Sequence, residues 1–142
     1  MGKEAYFIEQ FSSKHIGDDG AVFGDKVYSK DLFCEDIHFK RDWMSLEAIA
    51  RKSMLVNISD AIAMNAIPKL ALIGIVIPKQ FGLEQLRALG RGFESVARDY
   101  GIEIIGGDTT AGKKLMISVT IVSNVQKPIY RKNAKIGDFV AY

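Results

Sequence analysis

Cysteine is nearly missing from this chain. Cys34 stands alone, which excludes an internal disulfide and any metal site built on several thiolates. Long apolar runs are missing too. The longest clean one is about Leu70 to Pro78, well short of the roughly 18 residues of a membrane helix. The first twenty residues carry Glu4, Glu9, Asp18 and Asp19 and no apolar core, so no secretory signal is expected. An excess of one charge is also lacking. Nineteen Lys+Arg against seventeen Asp+Glu leave +2, and whole-chain charge offers no argument for nucleic acid. Repeats, low-complexity tracts and long charge runs are absent. What is present is ordinary globular composition, 48% hydrophobic and 25% charged over 142 residues. That excludes intrinsic disorder and fits one domain. A soluble cytoplasmic domain is expected.

The pattern along the chain alternates in kind. Helical spacing appears briefly over Ala5 to Phe11, and Gly17-Asp18-Asp19-Gly20 reads as a turn. Ala21 to Phe23 and Lys26 to Phe33 read as two strands joined at Gly24-Asp25, a hairpin signal. Ser45 is a candidate N-cap for a helix reaching about Asn65, with Leu46, Ile49, Ala50, Met54 and Asn57 on one face. The apolar run Leu70 to Ile77 predicts a buried strand. Leu83, Leu86, Leu89, Phe93, Val96 and Tyr100 recur three or four apart, and Gly101 can end that helix. Ile102 to Ile105 predicts a short strand and Leu115 to Val125 a longer one. Hairpin and strand–helix–strand units together predict an α+β fold, a two-layer α/β sandwich whose mixed sheet carries helices on one face. Phe139-Val140-Ala141-Tyr142 reads as the start of another apolar strand, so the chain is expected to be a fragment. Residues 1–125 would be one domain, and 126–142 a linker and first strand of a missing one.

Among the residues that could carry chemistry, one motif fails. Gly107 to Lys114 nearly matches the phosphate-binding G-x-x-x-x-G-K-[ST], but Lys114 removes the hydroxyl and the next segment reads as a strand, not a helix. Aspartate is the better signal. Asp18 and Asp19 lie at a turn, Asp31 in a strand, Asp60 in the otherwise apolar helical stretch Val56 to Met64, and Asp108 directly after a buried-looking strand. A carboxylate flanked by apolar residues is costly unless paired or bound to metal. Hard oxygen ligands of this kind suit Mg²⁺. Each also has a plain reading: turn formers, a helix-face residue, a loop cap. His38 ends a strand-like stretch, Glu35 to Phe39, and like His15 reads as an exposed or hydrogen-bonded residue; Lys113-Lys114 reads as a solvated turn, and Trp43 and the aromatics of the second helix as core.

Taken together, these segments resemble the N-terminal domain of the thiamine-monophosphate kinase family. That family belongs to the ATP-binding superfamily that includes aminoimidazole ribonucleotide synthetase and selenophosphate synthetase. The resemblance rests on Ile16-Gly17-Asp18-Asp19-Gly20-Ala21-Val22, on Ser29-Lys30-Asp31 with Glu35 and Ile37-His38-Phe39, and on Asn57-Ile58-Ser59-Asp60 through Pro68. Ile105-Gly106-Gly107-Asp108-Thr109-Thr110 and Arg131 before Gly137-Asp138 complete it. The segments occur in the family's order and span nearly the whole chain.

The resemblance implies Asp19, Ser29, Asp31, Asp60 and Asp108 as magnesium ligands, with Asp60 shared between ions and Asp18 supporting its loop. It implies His38 at the thiamine phosphate, and Tyr100, Gly107, Asp108 and Arg131 at ATP. It also implies transfer of the γ-phosphoryl group of ATP to thiamine monophosphate, giving thiamine diphosphate. The acceptor phosphate is already largely ionised, so charge neutralisation and alignment replace a general base. A homodimer joined through the sheets is implied as well. The fragment alone is expected to be inactive, because the family closes its site with a second domain. Selenophosphate synthetase would want a reactive N-terminal cysteine, absent here; a different acceptor, or a non-catalytic nucleotide- or cation-binding regulatory domain, are the alternatives. Two departures stand out. Lys30 replaces a common hydroxyl residue, leaving only its backbone carbonyl to serve, so restoring Thr should be neutral or helpful. Asn65 replaces glycine, a benign change because Asn tolerates the left-handed conformation.

Overall fold

A computed structural model describes residues 2–139; the strand expected to begin at Phe139 falls largely outside them. In chain order the elements are α1 (Lys3–Ile8), β1 (Ala21–Phe23), β2 (Lys26–Cys34), α2 (Leu46–Ala63), β3 (Ile67–Pro78), α3 (Leu83–Tyr100), β4 (Glu103–Gly112), β5 (Met116–Asn124) and a 3₁₀ turn at Arg131–Asn133. The five strands form one sheet in the order β1-β2-β5-β3-β4. All pairs are antiparallel except β3 with β4, which α3 connects in parallel. The expected mixed sheet with helices on one face is the fold observed.

Local chemistry explains the boundaries. Ser45 Oγ accepts the Ala48 N–H at 3.1 Å and starts α2. Asn65 follows α2 at φ 58°, in the left-handed region, and its amide donates to the Lys127 carbonyl at 3.0 Å. Gly101 ends α3 at φ 62°. One face of the sheet and the inner stripes of α2 and α3 share a core of Phe33, Ile49, Met54, Phe93, Val96, Ile117 and their neighbours. Gly92 lets the helices close. A Cβ there would lie 2.4 Å from the Glu47 carbonyl oxygen and 2.7 Å from the Ala50 Cβ.

Three expectations need correction. β4 runs to Gly112, not Ile105, so Asp108 lies inside a strand rather than in a loop. β3 supplies a partner for the whole stretch, Leu70↔Glu103 through Pro78↔Gly112. A polar edge strand carries no hydrophobic alternation to announce it. Glu35 to Phe39 is a turn, closed by a Glu35↔Phe39 bridge with Asp36 at φ 67°, not a strand ending at His38. Trp43 is 68% exposed and meets the Lys40 ammonium 5.2 Å from its ring centre, so it is not core.

The helix-free face of the sheet is open. Strand pairing lays its residues in rows: Lys30–Thr120–Leu72–Gly106, then Leu32–Ser118–Gly74–Asp108, then Cys34–Met116–Val76–Thr110. Tyr28, Leu32, Leu72, Ile105 and Met116 are about half exposed.

Candidate functional site

Three of the aspartates come together where the turn before β1, the middle of β2 and the last turn of α2 meet. Asp31 shares its sheet row with Val119 and Ile73, residues of the core face, so it points toward α2. The Asp60 carboxyl is pushed up to about 6, first by burial, then by the charges of Asp31 and Asp19, with Arg131 acting the other way. That electrostatic coupling marks the three as one anionic patch. Arg131 reaches it from the segment after β5. Its guanidinium bonds the Asp19 carboxylate, and its backbone N–H donates to Asp18 Oδ1 at 2.8 Å. Asp18 thus ties the turn before β1 to the segment after β5, while Asp19 meets the Arg131 guanidinium.

The remaining expected residues are distributed around this patch. Ser29 is buried on the same face of β2 as Asp31, and its hydroxyl donates to the Asn57 carbonyl at 3.2 Å. Its lone pairs stay available. Asp108 is placed apart, on the open face, where it lines a cavity with Gly74, Val76, Thr110, Met116 and Ser118. Gly107, at φ 155°, admits no side chain: a Cβ would strike the Ile73 carbonyl oxygen at 1.8 Å. Tyr100 closes α3 and is half exposed. His38 is exposed, accepts the Cys34 N–H through Nδ1 at 2.9 Å and stacks on Phe33 at 5.7 Å. The Nδ1 bond puts the proton of the neutral ring on Nε2, pointing away from the turn.

Asn57 is a site neighbour whose role the sequence did not announce. It is fully buried one turn before Asp60, and among the described residues its Oδ1 has no partner. An orphaned buried oxygen beside carboxylates suits a cation or a donor. The only signal was its place in Asn-Ile-Ser-Asp, where it reads equally well as a helix-face residue.

The donor set fits a hard divalent ion by chemistry: carboxylates, a hydroxyl and an amide oxygen. Among the described residues no three of His, Cys, Asp and Glu stand close enough to hold a metal ion unaided. Magnesium tolerates such a partial shell, because it keeps waters and takes substrate phosphates as ligands. Among the described residues no helix is long and apolar enough to cross a membrane.

The chain is similar to kinases in both sequence and structure. It is 35% identical over 133 residues to the thiamine-monophosphate kinase of Bacillus subtilis, covering 88% of this chain and 41% of that one. Its structure resembles the thiamine monophosphate kinase of Aquifex aeolicus, with a TM-score of 0.87, 28% identity, and coverage of 96% of this chain and 45% of that one. It resembles equally AaThiL complexed with AMPPCP and TMP, at TM-score 0.88, 30% identity and coverage of 95% and 45%. The chain thus spans under half the length of these relatives. The profile of the family described as AIR synthase related protein, N-terminal domain, matches residues 17–125. Those residues run from the Asp18-Asp19 turn through the last strand of the sheet, and on that ground the chain belongs to the AIR synthase related protein N-terminal domain family.

Proposed function

We propose that the protein containing this chain is a thiamine-monophosphate kinase, transferring the γ-phosphoryl group of ATP to the phosphate of thiamine monophosphate. The observation that carries the reading is the patch of Asp19, Asp31 and Asp60 with Arg131 set against it. A phosphate acceptor needs no base to expose its nucleophile, and a site poor in Ser, His and Cys machinery suits it. The kinase names of the relatives support the same chemistry.

Asp19, Asp31, Asp60 and Ser29 would hold Mg²⁺ on the helix side, and Asp108 on the open face. The ion would supply charge neutralisation between two polyanions when bound. The side chains do the rest. Asp60, pushed upward in its titration, is the carboxylate most in need of a cation. Arg131 is exposed, so its guanidinium can exchange Asp19 for a phosphate and bind it bidentately. Gly107 lets β4 lie close to β3 beside Asp108, and Tyr100 would pack at the nucleotide. His38, with Nε2–H directed outward, would donate to the acceptor phosphate.

The same proposal divides the chain into a nucleotide- and metal-binding domain over 1–125 and a connection over 126–142 to a second domain, places the protein in the cytoplasm, and pairs two copies through the open sheet face. ATP-dependent formation of thiamine diphosphate by the protein that contains this chain is the test, run beside the 142-residue chain. Turnover by the longer protein and little or none by this chain is expected. Nucleotide binding without turnover in the longer protein would favour the regulatory reading instead, and turnover with another acceptor only would favour a different superfamily enzyme.

A further inference from the structure

Lys30 carries a charge that no carboxylate among the described residues answers. It lies on the open face of β2, opposite in direction to Asp31. Its ammonium donates to Ser118 Oγ at 2.5 Å and to Thr120 Oγ1 at 3.3 Å, both neutral hydroxyls. An ammonium has three donors, and among the described residues no carboxylate lies in ion-pair range of this one. Lys26, on the same face of the same strand, is paired with Asp25 at 2.8 Å. The neighbours of Lys30 are the apolar Tyr28, Leu32 and Leu72. The ammonium is exposed and held in place by two neutral hydroxyls, so its full charge is offered to an anion arriving from solution.

The surroundings indicate which anion. The row Ser118–Gly74–Asp108 leads from the lysine across the sheet. Gly74 has no side chain to fill it, and the cavity there is bounded by Ser118 on one side and by Asp108 and Thr110 on the other. Two strand spacings, about 10 Å, separate Ser118 from Asp108, and Lys30 stands one strand further out, its ammonium reaching Ser118. One end of the trough is cationic. The other is a carboxylate, which repels an anion unless a divalent ion stands between them. An extended polyphosphate with a bound divalent cation satisfies both ends, and a single phosphate does not span them.

We propose that Lys30 is a polyphosphate-binding residue, which with Ser118 and Thr120 holds one end of a nucleoside triphosphate along the open face while the metal-bearing end lies toward Asp108. This rests on the nucleotide-dependent kinase reading above and adds a protein cation to it. It reverses the expectation for Thr at position 30: the lysine contributes binding of its own, and Lys30→Thr weakens the site. Were a second copy to cover this face, the ammonium would lose water and its need for the anion would grow.

The test is calorimetric titration of the 142-residue chain with ATP and with inorganic tripolyphosphate, each in Mg²⁺ and in EDTA, for wild type, Lys30→Gln and Lys30→Arg. At least tenfold weaker binding of both ligands by Lys30→Gln, largely restored by Lys30→Arg, is expected. Equal affinities of wild type and Lys30→Gln for tripolyphosphate overturn the assignment and leave the kinase reading intact. Lys30-dependent tripolyphosphate binding with no ATP binding by any variant keeps the anion site and overturns the nucleotide reading. Failure of both ligands to bind the wild type overturns both.

Discussion

Asp60 concentrates the energetic tension of the site in one carboxyl group. Its unfolded titration lies near 3.8 and its folded one near 6, because burial and then Asp31 and Asp19 penalise its charge. Between those values the folded chain holds a proton that the unfolded chain has released. The contribution of this group to stability is therefore full below about pH 4 and is lost as pH rises through about 6. Without metal, the melting temperature should fall across that window. Asp60→Asn should flatten the fall and raise stability at pH 8 by about 1 kcal/mol, after allowing for solvent around a partly exposed group. The same variant should lose most of the activity of the longer protein. Thermal melts of both chains in EDTA from pH 4 to pH 8 decide it; superimposable profiles would show that the three aspartates are not coupled. Asn65 shows the opposite economy. It occupies φ 58° and gains a hydrogen bond to Lys127 that glycine could not make.

The helix pair is where packing tolerates least. Gly92 of α3 lies against the first turns of α2, and a methyl group there would meet backbone and the Ala50 side chain. Gly92→Ala should destabilise by about 1–3 kcal/mol through overpacking, although alanine is the better helix former by about 1 kcal/mol. Gly90, two residues earlier in the same helix, meets nothing within 4 Å. Gly90→Ala should accordingly be neutral or stabilising, by up to about 1 kcal/mol. Urea denaturation of the two variants with unchanged slopes gives the comparison. Equal effects would mean that the helices do not touch at Gly92. Because Asp60 rides on the C-terminal turn of α2 and α2 is clamped by α3, loosening this contact should also weaken metal-dependent nucleotide binding.

At the scale of the molecule, the sheet has one covered and one uncovered face. The half-exposed Tyr28, Leu32, Leu72, Ile105 and Met116 leave apolar surface on the uncovered face. The proposed pairing through this face predicts a concentration-dependent dimer in sedimentation at micromolar protein, weakened by Leu32→Glu. A monomer at all such concentrations, unaffected by that substitution, would remove the pairing. Asp108 and Lys30 share this face, so assembly and nucleotide binding should depend on one another.

Much of this protein was legible in its sequence because the signals are local. Ser45, Asn65 and Gly101 set helix ends through bonds and dihedral angles within a few residues of themselves. The Gly24-Asp25 hairpin and the periodicity of α3 depend on near neighbours in the same way. The aspartates stood out in the sequence as carboxylates in apolar surroundings, but whether they meet was open there. Other features needed the sheet. β4 extends to Gly112 only because β3 offers it a parallel partner, and no periodicity in Gly106 to Gly112 encodes that. Strand alternation then turns Asp31 toward α2 and carries its neighbour Lys30 to the opposite face, with Asp108 on that face through its row with Gly74 and Ser118. Adjacent residues of a strand point apart while residues far separated along the chain share a row. Which charges meet is therefore decided by register, and register exists only once the strands have paired.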